Sequence, residues 1–154
     1  MNTQLNNQLN GQLNDKLQNA AALTGRILLA LIFITSGFAK LTGYEGTAGY
    51  MQSAGLPLVN VLLPLAILVE LGGGLALAFG WKTRLSAAAL FLFLIPTTVI
   101  FHAYWAAPAD QVMMQQINFW KNVSIMGGML AVVAFGAGAW AFDKAEARAQ
   151  GSQA

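Results

Sequence analysis

The chain has 154 residues, of which 56% are hydrophobic and only 9% charged, against roughly 25% charged in an average soluble domain. A net charge of +2 is too small to point to nucleic acid. The absence of cysteine excludes a thiol relay, a disulfide, a thiolate-ligated haem or an iron–sulfur cluster on this chain alone, and the single His102 excludes bis-histidine haem ligation by it.

Residues 4–19, QLNNQLNGQLNDKLQN, repeat Gln-Leu-Asn and set Leu5, Leu9, Leu13 and Leu17 four residues apart, a slowly drifting stripe on a helix. Asn-rich sequence forms helix poorly, so residues 1–20 read as a disordered polar tail, with an interfacial or self-associating helix as the alternative. No chemistry is expected there.

Four apolar runs follow, at residues 23–41, 56–80, 85–104 and 117–140, each near the ~20 residues a helix needs to cross ~30 Å of hydrocarbon. Helices are required because backbone groups in lipid must pair within their own segment, and the runs lack the alternation of barrel strands. The expected fold is an all-α, integral membrane four-helix bundle, with residues 21–142 as its domain and 143–154 as a cytoplasmic tail.

Lys16, Arg26, Lys82, Arg84, Lys144 and Arg148 would lie on one side and Lys40 and Lys121 on the other, which puts both termini in the cytoplasm. Trp81, Trp105, Trp120 and Trp140 all fall at expected helix ends, where amphipathic rings meet the headgroups. The N-terminus lacks the basic region and cleavage site of a signal peptide, so the first run is expected to stay as a helix. The Gly-rich stretch 42–57 reads as a loop on the outer surface, and Pro96 should kink the third helix and free a carbonyl for Thr97, Thr98 or water.

Polar residues in these runs mark the candidate site. Glu70 sits mid-helix, where a bare carboxylate is costly, and Gly73 and Gly74 share its face and let another helix approach. Arg26 and Lys40 lie on one stripe of the first helix, about 21 Å apart at 1.5 Å per residue. On the fourth helix Asn118 and Lys121 share a face, next to Asn122, at about the depth of Lys40 and His102. Together these would form a polar, cationic pocket roofed by Tyr104, Trp105 and Trp120. Helix rotation decides whether Glu70 meets Arg26 or the outer cations Lys40 and Lys121.

At these residues the sequence resembles the DoxX family of small bacterial inner-membrane proteins. The resemblance rests on Arg26, FITSGFAKLTGYEGT, AGLP, Glu70 before GGG, Arg84, FHAYW and INFWKNVSIMGG, taken in order over residues 23–140. It implies a four-helix membrane protein linked to redox chemistry, similar to a subunit of an archaeal thiosulfate:quinone oxidoreductase or to membrane partners in oxidative-stress assemblies.

A quinone headgroup would need hydrogen-bond donors, which Lys121, Asn118, Asn122 and His102 offer, and a proton route, which Glu70 offers. No catalytic residue, metal or covalent cofactor is assigned, and the chain reads as at most a non-autonomous subunit whose electrons come from a partner in a redox complex. A non-catalytic scaffold or assembly factor is the rival reading. A small solute or proton transporter is a third, and it would need a homo-oligomer, with Gly72, Ala76 and Gly80 as the packing seam.

Overall fold

A computed structural model of the protein describes residues 2–143. It is 84% helical, without strands among the described residues. Helix α1 (Asn2–Thr42) is followed by α2 (Tyr44–Ser53), α3 (Val59–Ile67), a π-helical turn (Leu68–Gly72), α4 (Gly73–Phe79), α5 (Thr83–Phe101), a 3₁₀ turn (Tyr104–Ala106) and α6 (Val112–Phe135). Four segments, Thr3–Thr42, Val59–Phe79, Thr83–Ala106 and Val112–Phe135, are long and apolar enough to cross a membrane. The second of them is α3, the π turn and α4 run together.

The termini of these spans differ from the expected bounds for backbone reasons. Leu58 takes a left-handed conformation (φ 53°) after Pro57 and delays the second span to Val59. Gly136 (φ 82°) and Gly138 (φ 77°) stop α6 at Phe135, before the end expected at residue 140. The Gln/Leu/Asn repeat, expected as a disordered tail, stands in the structure as the first turns of α1. From residue 144 onward the expected tail lies outside the described residues.

The stretch expected as an outer loop is helix α2. Its Ala48 and Met51 pack with Val59 and Leu63 in a small apolar cluster of their own. The main core lies where α1, α4, α5 and α6 meet, through Ala30, Phe33, Leu77, Ala87, Leu90, Leu94 and Met129. Most other large apolar side chains face outward, Phe135 being 87% exposed, as a bundle solvated by lipid tails allows.

Close approach between α1 and the second span depends on small residues. A Cβ on Gly37 would lie 3.0 Å from the Leu71 nitrogen, and one on Gly74 would lie 3.2 Å from the Ile34 nitrogen. Of the expected seam, Gly72 and Ala76 line an open apolar furrow, whereas Gly80 is backed by Ala141 and Arg26.

The membrane-entry part of α1 and the segment after α6 meet at one end of the bundle, where Arg26 ties that segment to the end of α4. Arg26 is 3% exposed and donates to the carbonyls of Ala78, Ala137 and Trp140. The segment after α6 is further held by Asn19, which accepts from the Ala139 amide, and by Asp143, which accepts from the Lys82 and Thr83 amides at the start of α5.

Burial pushes the Asp143 carboxyl up, but the hydrogen bonds from Thr83 and Lys82 and the nearby Arg26 charge outweigh it and hold the carboxyl below its ordinary value. A depressed carboxyl adds stability that is present above its unfolded pKa of about 3.9 and lost as pH falls through the folded value. Thermal unfolding in detergent should therefore weaken below about pH 4. Asp143→Asn should flatten that limb, and an unchanged acid limb would show that Asp143 does not cause it.

Candidate functional site

The site is built at the other end of α1. Ser36 and Lys40 are four residues apart and so share a face, and Gly37 between them lets the backbone of the second span come close. Glu70 lies on the π turn Leu68–Gly72. Such a turn inserts an extra residue into the ladder and re-aims the side chains it carries.

The result is a compact knot of three groups. Lys40 Nζ lies 2.9 Å from Glu70 Oε2 and donates to Glu70 Oε1 at 3.1 Å and to Ser36 Oγ at 2.7 Å. Ser36 Oγ donates in turn to Glu70 Oε1 at 3.2 Å. The Glu70 side chain is 7% exposed and that of Lys40 is 26% exposed. Glu70 Oε2 is held by the charge of the ammonium alone and accepts no hydrogen bond from the described residues. Its partner is Lys40, which settles the choice between Arg26 and the outer cations. Arg26 is spent on backbone carbonyls at the opposite end.

This knot lines a cavity of about 560 Å³ between α1, the second span, α5 and α6, within the size range of small-molecule pockets. Phe33, Met51, Leu62, Phe93 and Ile125 make it largely apolar, and His102, Lys121 and Asn122 bring polar groups to the same wall. His102 Nδ1 pairs with the Gln115 side-chain amide, 2.8 Å from Oε1. Asn122 is buried and donates to Thr98 Oγ1 at 3.1 Å. Asn118 is not on the cavity wall; it holds the Lys121 ammonium at 2.9 Å.

Five of the seven candidate residues thus converge, with Asn118 behind them and Arg26 elsewhere. Ser36, Thr47, Tyr50 and Thr97 also line the cavity. Ser36 was legible as the residue one turn before Lys40. Tyr50 was not, because its place depends on α2 folding back over the bundle. The expected aromatic roof is absent from the cavity wall: Tyr104, Trp105, Phe119 and Trp120 form an edge-to-face chain with centroids 5.2 to 5.6 Å apart beside α6. The Thr97 hydroxyl bonds to the Phe93 and Leu94 carbonyls of its own preceding turn, whereas the carbonyl that Pro96 leaves without its helical donor is that of Leu92, so the expected role for Thr97 is not what these bonds serve.

The fold and site define a small multi-pass membrane protein that keeps an acid–base pair and an apolar cavity inside a four-helix bundle. The family model DoxX matches residues 21–103, more than half of the chain. The chain belongs to the DoxX family and is a multi-pass inner-membrane protein.

It is 41% identical over 128 residues to the inner membrane protein YqjF of Escherichia coli, covering 83% of this chain and 93% of that one. It is 38% identical over 122 residues to the inner membrane protein YphA of the same organism, covering 79% and 87%. The putative oxidoreductase CatD of Bacillus subtilis is 37% identical over 70 residues, 46% of this chain and 51% of that one. No solved structure matches the chain.

Proposed function

We propose that this protein is the membrane subunit of an oxidoreductase or oxidative-stress complex, binding a quinone-like lipophilic molecule in the bundle cavity, with both termini in the cytoplasm. The observation that carries the reading is the Ser36, Lys40 and Glu70 knot set in the wall of a largely apolar cavity whose other polar groups include His102, Lys121 and Asn122. A buried acid beside an apolar space inside a membrane bundle is costly to keep and marks function by default. The name of the Bacillus subtilis relative, which calls it an oxidoreductase, supports the redox part.

The residues present fit a quinone headgroup. Glu70 Oε2 is buried and lacks a donor of its own, so a hydroxyl on a reduced ring would satisfy it. Lys121 and Asn122 would donate to ring carbonyls, and Glu70 would hold a proton for exchange with the bound molecule. A quinone, when bound, supplies two-electron redox chemistry; this chain's side chains bind it, orient it and move protons, and a partner protein supplies the electrons.

The test is titration of purified protein in detergent with a short-chain ubiquinone, read by quenching of tryptophan fluorescence. Saturable binding is expected, with Kd raised about tenfold or more, roughly 1.4 kcal/mol, in both Glu70→Gln and Lys121→Ala. An unchanged Kd in both variants would sink the site. The rival reading, a non-catalytic scaffold, draws on the way Lys40 and Glu70 satisfy each other. It predicts no saturable binding and a partner complex that weakens in the same variants.

A further inference from the structure

Helix α1 runs unbroken from Asn2 into its membrane span. Residues 2–18 therefore extend about 25 Å beyond the bundle at 1.5 Å per residue. Leu5, Leu9, Leu13 and Leu17 are all exposed on this extension, Leu17 at 67%. At 100° per residue, Leu13 and Leu17 point about 150° away from Arg26, Ala30, Phe33 and Gly37, the residues turned toward the bundle. The protein's own helices are on the wrong side to cover them. The stripe continues instead into the outward face of α1, where Leu28, Leu31 and Phe38 are exposed.

The residues beside the stripe indicate what covers it. Each leucine has Gln4, Gln8, Gln12 or Lys16 before it and Asn6, Asn10, Asn14 or Gln18 after it, so one flank is mostly glutamine and the other mostly asparagine. When two parallel helices meet about a two-fold axis, the leading flank of one faces the trailing flank of the other. Side-chain amides both donate and accept, so the two kinds of flank can hydrogen-bond across the seam.

Membrane insertion imposes the remaining condition, because copies of one chain in one membrane are parallel and start at the same height. A second copy thus matches in direction, register and polarity. A lipid surface matches poorly: the extension carries a single cation, Lys16, next to Asp15, and it continues from the span as one unbroken helix.

We propose that the extension of α1 is a self-association helix, through which two copies of this chain pair in parallel along Leu5, Leu9, Leu13 and Leu17. A repeat of four residues exceeds the 3.6 of the helix, so the pair winds with a right-handed sense. This pairing is independent of what the bundle cavity binds.

The lack of cysteine makes the test direct. Full-length chains carrying Leu9→Cys or Leu13→Cys, and others carrying Asn7→Cys or Asp15→Cys on the opposite face, are oxidised in native membranes with copper phenanthroline. A disulfide needs Cα atoms within about 7 Å. The leucine positions should give dimers at least about fivefold more abundant than the opposite face, with geometry as the filter.

Equal yields on both faces, or no dimer at any position, would overturn the proposal. So would adducts of a foreign mass, which would assign the stripe to another protein, or shielding of Leu9→Cys from a water-soluble thiol reagent without dimers, which would assign it to the bilayer surface. As an independent measure, a Leu9→Ser, Leu13→Ser chain should shift from dimer to monomer in native mass spectrometry. A dimer that persists there places the pairing elsewhere and overturns it as well.

Discussion

Lys40→Met is expected to lower the stability of the bundle in detergent by about 3 kcal/mol, the low end of the cost of removing one member of a buried ion pair. The reason is the asymmetry of the pair. Glu70 is 7% exposed against 26% for Lys40, so losing the lysine strands the more buried charge, with Ser36 as its remaining donor. Glu70→Leu leaves Lys40, whose four-carbon stem can carry the ammonium toward the headgroups, and should cost about 1–2 kcal/mol.

The double variant is expected to return to within about 1 kcal/mol of the unmodified chain, because replacing both members of a buried pair by apolar groups is often close to neutral. Thermal unfolding of the four proteins measures the coupling. Losses that simply add in the double variant would show that the two side chains do not stabilise each other. The double variant also separates two roles: a stable bundle that no longer binds the quinone probe assigns the pair to the ligand, and one that still binds it assigns the pair to the fold.

The second large effect is expected at the opposite end. Arg26→Met should cost about 4–5 kcal/mol, the low end for three hydrogen bonds from a charged donor at about 1.5–3 kcal/mol each, since three carbonyls lose theirs together. Those carbonyls, of Ala78, Ala137 and Trp140, belong to two separate parts of the chain, so the loss also frees the segment after α6. Arg26→Lys keeps the charge but not the fork of donors, and should recover less than half of the loss. Full recovery by lysine, measured by thermal unfolding, would show that charge matters there and geometry does not. Ligand binding at the distant cavity should be unaffected by either variant below their unfolding temperatures.

Much of this was legible in residue order alone. Four runs of about 20 apolar residues forced four helices, because lipid offers the backbone no other partner. Of the polar candidates in and beside those runs, Lys40, Glu70, His102, Lys121 and Asn122 line the cavity, while Arg26 and Asn118 do not. Composition could mark them because an ionisable group in lipid is too costly to occur without a partner or a task.

Other features depended on contacts distant in the chain. Arg26 and Lys40 occupy one stripe of one helix and are equivalent by spacing, yet only Lys40 meets Glu70. The difference arises from the π turn and from Gly37, which together set the rotation and closeness of the second span against α1. Helix α2 was hidden in a Gly-rich stretch because its stability comes from Val59 and Leu63 packing beneath it, a gain that local propensity does not contain.

By itself, then, the sequence determined the solvent in which this protein folds, the number of its spans and the set of polar side chains to be accommodated, since each follows from the cost of exposing a group to hydrocarbon. Tertiary structure alone decided which of those side chains meet, because helix rotation and separation are set by the packing of small residues between helices.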